Sequence, residues 1–250
     1  MSAKASPAAI RLITLAGIAI VWEVLGQTGL VFGEALPPAS AVIAAAAQEI
    51  ASLSFYEHLG VTAAEVAGGF VFGVLPGVAV GLLFGARRVL GAAADPYVAA
   101  LATTPKIVFL PIVMLLVGIG PGSKVALGAV SAFFPVVIAT AAGMRAIPAV
   151  FVRVGRAFKL KPGQMVRMVY LPALALPIVT GMRLGLGVCI IGVLLGEIKL
   201  AKAGLGFLAN DYYTQYSFPR LYAIVAIVFA LAAAANAAMS RLVRRAEAHR

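Results

Sequence analysis

The chain has 250 residues, 62% of them hydrophobic and 12% charged, with a formal net charge of +11 and a mean hydropathy of +1.03. Such values exclude a soluble globular domain and define an integral membrane protein, read as one transmembrane domain over residues 1–250. The basic residues are scattered between apolar stretches, which points to lipid headgroups and cytoplasmic partners rather than nucleic acid, and the single Cys189 excludes an internal disulfide framework.

Hydropathy predicts an all-α protein with six membrane spans, at residues 12–32, 61–85, 98–119, 125–144, 173–198 and 221–242. The first follows Lys4 and Arg11 and contains Glu23; with no small-x-small site soon after it, it reads as a retained span rather than a cleaved signal peptide. In the second, Gly69, Gly73, Gly77, Gly81 and Gly85 recur every fourth residue around Pro76. This is a helix-packing surface. Because four-residue steps drift about 40° each on a 3.6-residue helix, the strip winds and can serve more than one neighbour.

Pro105 and Lys106 interrupt the third span, and the uninterrupted remainder rises only about 20 Å, so it is expected to be broken or to start outside the lipid. The fourth holds Phe133, Phe134, Pro135 and Thr140. The fifth repeats the four-residue glycine spacing at Gly181–Gly185 and Gly192–Gly196 and carries Arg183 and Glu197. A charge near the middle of a span costs roughly 2.5–3.5 kcal/mol, so Arg183 is expected to face a partner, a cavity or the cytoplasmic interface. Glu197 divides between an inter-helix pair and a gate. Pro111, Pro135 and Pro177 free backbone carbonyls inside spans, which suits a transport pathway.

Six spans with both termini in the cytoplasm place fifteen Lys and Arg residues inside and four outside (Lys124, Lys199, Lys202 and Arg220), with Arg183 within a span. That orientation puts residues 145–172 in the cytoplasm. On a helix, Val150, Phe151, Val154, Ala157 and Phe158 form an apolar stripe, while Arg153, Arg156 and Lys159 lie off it. One face suits a partner and another suits water.

An enzyme is disfavoured by the inventory. His58 and His249 lie in an outer loop and at the C-terminus, so no intramembrane nucleophile has a histidine base. No H-E-x-x-H or Cys/His cluster offers a metal site, and no Gly-Lys pair exists from which to build a phosphate-cradling loop. Any ATP is expected to be hydrolysed by another protein.

Pro105 with Leu110-Pro111, Gly118-Ile119-Gly120, Ser123-Lys124, Phe133-Phe134-Pro135, Leu171-Pro172, and Glu197 followed by Gly204-Leu205-Gly206 together resemble a permease of the nitrate/sulfonate/taurine-type ABC importers, over about residues 60–245. The resemblance implies a type I importer fold in a bacterial cytoplasmic (inner) membrane. Two permease subunits, identical or different, form a pathway for a small anionic solute. Two cytoplasmic ATPases bind ATP and Mg and drive it, an extracytoplasmic binding protein delivers the solute, and the permease itself holds no cofactor. The rival reading from another class is a gradient-driven transporter or channel.

The family's cytoplasmic signature reads E-A-A, three residues, G, then about a dozen residues to L-P, and forms the coupling helix that docks on the ATPase. Here Arg153-Val154-Gly155 occupies the E-A-A position and Lys159 the glycine position, with Pro162-Gly163 able to supply the turn instead and lengthen the first helix by about a turn. The docking residues implied are Phe151, Arg153, Val154, Gly155, Arg156, Phe158, Lys159, Leu160, Pro162 and Gly163. Pathway candidates are Phe133, Phe134, Thr140, Arg183 and Glu197.

Overall fold

In a computed structural model, residues 6–29 and 33–248 are described, and those residues are helical throughout apart from short connections. The helices are α1 (Pro7–Thr28), α2 (Ala39–Ala51), α3 (Leu53–Ala86), α4 (Arg88–Thr103), α5 (Leu110–Val117), α6 (Pro121–Arg145), α7 (Ala149–Ala157), α8 (Pro162–Met165), α9 (Leu171–Leu200), α10 (Leu205–Thr214) and α11 (Phe218–Ala248). Five helical stretches are long and apolar enough to span a membrane, and a sixth forms if α4 and the segment Lys106–Val117 count as one bent span. Lys4, His249 and Arg250 lie outside the described residues.

At the centre, α6 is clasped between α3 and α9. A Cβ added at Gly73 would lie 2.6 Å from the Ala129 carbonyl oxygen, and one at Gly81 would lie 2.6 Å from Thr140 Cβ. The partners advance in step: Gly69 meets Val125 and Gly128, Gly77 meets Phe133 and Val136, and Gly85 meets Ala141 and Met144. The whole strip therefore serves α6, with Cys189 of α9 touching only Gly69, rather than being divided among several neighbours. Each four-residue step overshoots a helical turn, so contact held over four steps requires the two helices to wind around one another. The α9 glycines do the same from the other side, Gly181 against Pro135, Val136 and Ala139, and Gly192 against Leu127 and Ser131.

The third span is broken, as Pro105 and Lys106 predict. Pro105 disfavours helical backbone at Thr104, which sits at φ −62°, ψ 130°, and the chain bends by 96° before α5. Lys106 Nζ donates to the carbonyls of Leu101 (2.7 Å), Ala102 (2.9 Å) and Thr104 (2.7 Å), closing the open end of α4. A cation there also complements the negative end of the helix. Lys106 thus sits at the break inside the span rather than in a loop at its end.

The fifth span begins earlier than hydropathy suggests, running from Pro162 to Leu200. A five-residue π-helical segment, Val166–Tyr170, joins α8 to α9, and the Leu171 amide bonds to the Val166 carbonyl. Pro172 follows immediately; the wider π turn is a means of seating a residue that has no N–H and whose ring crowds the preceding turn.

α2 and α10 lie outside the spans that hydropathy predicts. Trp22 Nε1 of α1 donates to the Pro37 carbonyl at 3.0 Å, and Glu23 accepts from the Ser40 amide (2.9 Å) and hydroxyl (2.7 Å), capping α2. α10 is fixed from within: Tyr212 donates its hydroxyl to the buried Glu49 of α2 at 2.7 Å, and Arg220 of α11 lies 3.9 Å from the same carboxylate. Burial and that hydrogen bond push the Tyr212 phenol up to about 12, so it remains a donor at any physiological pH.

Candidate functional site

Two regions carry the candidate residues, one at each end of the α3–α6–α9 block. At the Arg145 end, α7 stops at Ala157, and Lys159 takes the left-handed conformation at φ 52°. The Lys159 amide donates to the Arg156 carbonyl (2.9 Å) and the Leu160 amide to the Gly155 carbonyl (3.1 Å), the two bonds of a Schellman cap. The turn therefore falls at Lys159 itself. The expectation that Pro162-Gly163 replaces it and lengthens the first helix is overturned: the Schellman bonds satisfy the end of α7 where it is, and Pro162 is free to open α8, where its missing N–H costs nothing.

Gly155, the last residue at the E-A-A position, is where α7 crosses the next segment; a Cβ there would lie 2.8 Å from Met165 Sδ. Phe151, Val154 and Phe158 point into an apolar groove of about 1010 Å³ whose opposite wall includes Met168, Pro172 and Pro177. All three side chains are about half exposed or more in the single chain. Arg153, Arg156, Lys159 and Lys161 are exposed on the remaining surface, and no acidic residue occurs between Asp95 and Glu197. Asp95 is taken by a bidentate pair with Arg145, at 2.6 and 2.7 Å. The cations on α7 and the loop after it are thus without a carboxylate of their own.

At the Lys124 end, Glu197 is fully buried. Its Oε1 accepts from the Thr62 hydroxyl at 2.7 Å and its Oε2 from the Gly206 amide at 2.7 Å. Thr62 Oγ1 in turn accepts from the Leu205 amide (2.8 Å), and His58 Nδ1 accepts from the Gly204 amide (3.0 Å). Three successive backbone N–H groups at the start of α10 are thereby held by two spans. Lys124, assigned to an outer loop by charge counting, is buried, with Nζ donating to the carbonyls of Gly120 (2.9 Å) and Leu200 (3.5 Å). The carboxylate of Glu65 faces the same cluster electrostatically.

Of the five pathway candidates, Arg183 alone is exposed; its Nε donates to Asn236 Oδ1 of α11 at 2.9 Å. Phe134 is buried beneath Lys106, whose Nζ lies 5.2 Å from the ring centroid, and packs edge-on against the half-buried Phe133. Thr140 is enclosed against Gly81. The geometry brings Phe133, Phe134 and Lys106 together but leaves Arg183 and Glu197 apart, about 21 Å along the axis of α9. Neither Thr62, which bonds Glu197, nor His58, which bonds the Gly204 amide, lies in a motif; the spacing between Glu197 and Gly204-Leu205-Gly206 was the available signal.

Residues 69–248 match the family described as binding-protein-dependent transport system inner membrane component, and the chain belongs to that family. It is the permease subunit of an ABC importer, a multi-pass inner-membrane protein that performs no ATP hydrolysis of its own; the ATPase of such importers is a separate subunit. This displaces the gradient-driven alternative. Among similar proteins, a permease named for aliphatic sulfonate transport, SsuC of Bacillus subtilis, is 30% identical over 91% of this chain and 82% of its own length. The taurine transport system permease TauC of Escherichia coli is 28% identical over 79% and 74%. A chain of the inward-facing MetNI methionine ABC transporter superposes with a TM-score of 0.69 at 22% identity, covering 77% of this chain and 96% of that one, and so shares its fold.

Proposed function

We propose that this permease lines the pathway for a small organic sulfonate or a related small oxyanion. Two copies, or one copy and a related subunit, enclose that pathway, two cytoplasmic ATPases drive it, and both termini face the cytoplasm. The observation that supports the docking role best is the α7 cap: Lys159 adopts the left-handed backbone at the position where the family signature has glycine, so the turn is kept although the residue has changed. Phe151, Val154 and Phe158 supply the apolar contact, Arg153 and Arg156 the charge, and Leu160, Pro162 and Gly163 the turn into α8. Cations in place of the signature carboxylate call for an ATPase groove richer in acidic residues. The solute class rests on the sulfonate and taurine transport named for two relatives. Phe133, Phe134, Thr140 and Glu197 are assigned to the shape and support of the pathway wall.

The test is ATP hydrolysis by the permease assembled with the ATPase encoded beside it in lipid nanodiscs, with and without the neighbouring binding protein loaded with taurine or an alkanesulfonate. Loaded binding protein is expected to stimulate hydrolysis severalfold. Stable assembly with stimulation by some other solute would discard the sulfonate assignment and keep the docking role; failure of the ATPase to associate with folded permease would discard the docking role.

A further inference from the structure

Arg183 lies on a face of α9 that is exposed in the single chain and bordered by α11. Thr180, Arg183, Leu184, Gly187, Val188 and Ile191 fall at i, i+3, i+4, i+7, i+8 and i+11 and are all exposed. The position is inside the span. Twelve residues separate Arg183 from Leu171, about 18 Å along the helix, and seventeen separate it from Leu200, about 25 Å. Its partner Asn236 stands five residues from Arg241, about 8 Å along α11, so the guanidinium lies within the span on its Arg145 half, and the Nε bond to Asn236 holds it sideways toward α11 instead of along the axis. A charged group within a span does not face hydrocarbon without a counter-charge or water.

No carboxylate pairs with Arg183 among the described residues. Asp95 is occupied by Arg145 and Glu197 is enclosed by Thr62 and Gly206. The remaining acidic residues lie in or beside α1–α3, in α10, or near the end of α11. The guanidinium keeps its Nη groups available, a planar fork suited to two oxygens of one anion. Gly187, one turn away, leaves open space where a side chain would stand, with nothing within 4 Å of its Cβ position.

We infer that Arg183, oriented by Asn236, is an anion-binding position within the translocation pathway, taking a sulfonate-sized oxyanion bidentately in the space beside Gly187. This rests on the reading of the chain as pathway-forming and assigns the polar contact that the enclosed candidates Thr140 and Glu197 do not provide. Asn236 is a positioning residue: it touches Arg183 and fixes the fork.

The experiment probes charge at the site without requiring transport. In a Cys189→Ala background, Thr180→Cys and Gly187→Cys variants of the full chain, assembled with its ATPase in nanodiscs, are labelled with 2-sulfonatoethyl methanethiosulfonate and with its trimethylammonioethyl counterpart. The rate ratio is taken relative to a free thiol. With Arg183 present the sulfonate reagent is expected to be favoured; Arg183→Gln should lower the ratio about tenfold or more, and Arg183→Lys should largely keep it. Excess ethanesulfonate should slow labelling only where the cation is retained. Absence of labelling at both positions in assembled complex would overturn the inference, because the face would then be covered by lipid or by the second subunit. An unchanged ratio in Arg183→Gln would overturn it equally. Either failure leaves the stimulated-ATPase test untouched, so this assignment and the importer's solute class fail separately.

Discussion

Gly204 and Glu197 occupy one space: a Cβ on Gly204 would overlap the carboxylate of Glu197, and the Gly204 backbone stands at φ +112°, where side chains are rarely accommodated. The two residues are seven apart in sequence, yet neither can change alone. Gly204→Ala is expected to lower stability by about 2 kcal/mol or more, since it adds backbone strain and displaces the acceptor of two hydrogen bonds. Glu197→Gln keeps the shape and is expected to cost less, about 1 kcal/mol, by weakening one charge-assisted bond. Thermal unfolding followed by size-exclusion fluorescence ranks the two; a Gln variant less stable than the Ala variant would overturn the steric argument.

Lys159 sets up a stabilising substitution. A left-handed backbone costs an L-residue about 1 kcal/mol that glycine does not incur. Lys159→Gly is therefore expected to raise the stability of the α7–α8 turn by about that amount, read as slower hydrogen exchange at residues 155–160. Its effect on docking is a separate matter, because it also removes a charge.

Arg153→Glu addresses that charge. If the partner groove is acidic, reversal on α7 is expected to weaken ATPase association roughly tenfold, about 1.4 kcal/mol, and the loss should shrink as salt is raised. Affinity of the detergent-purified subunits by biolayer interferometry measures it; unchanged affinity removes the charge argument.

The glycine strip makes its own prediction. Gly81→Val must push apart Thr140 and the Val137 carbonyl, so it is expected to destabilise by about 3 kcal/mol, whereas Gly68→Ala, whose Cβ would stand at 3.4 Å from Val125, should be nearly neutral. The pair is compared by thermal unfolding in the same detergent.

Lys106→Met keeps the stem and removes the three bonds to the end of α4. A loss of about 2 kcal/mol is expected, with faster hydrogen exchange confined to residues 100–110. Uniformly faster exchange across α6 would show that Lys106 supports the whole fold instead of the break.

Much of this architecture was legible in the sequence because hydropathy and four-residue glycine spacing are local signals. Each predicted span overlies an observed helix, although the second starts eight residues inside α3 and the fifth eleven residues after Pro162, and Pro105 announced the break. Where the reading ran short, the information was tertiary. α2 and α10 are brief and carry charged residues such as Glu49 and Asp211, so no hydropathy window finds them, and their stability comes from Tyr212 meeting Glu49 across the fold. Lys124 looked like a loop cation because its burial depends on the end of α9, where it meets the Leu200 carbonyl 76 residues away. Thr62 lies 135 residues from Glu197, and nothing local in either segment names the other. The turn at Lys159 was obscured by residue type: lysine is a poor choice for left-handed backbone, and only the two bonds to Arg156 and Gly155 reveal that the chain adopts it there.

Because α6 touches α3 and α9 largely through backbone and small side chains, there is no cushion of long flexible groups in which displacement can dissipate. Sliding by one notch would require every glycine contact from Gly69 to Gly85 to be broken at once. The three helices thus form a stiff rod, and a push delivered beside Arg145 arrives beside Lys124 with little loss. Whatever bending the transport cycle demands must be taken up at the bordering joints, the Thr104–Pro105 elbow and the π turn before Pro172.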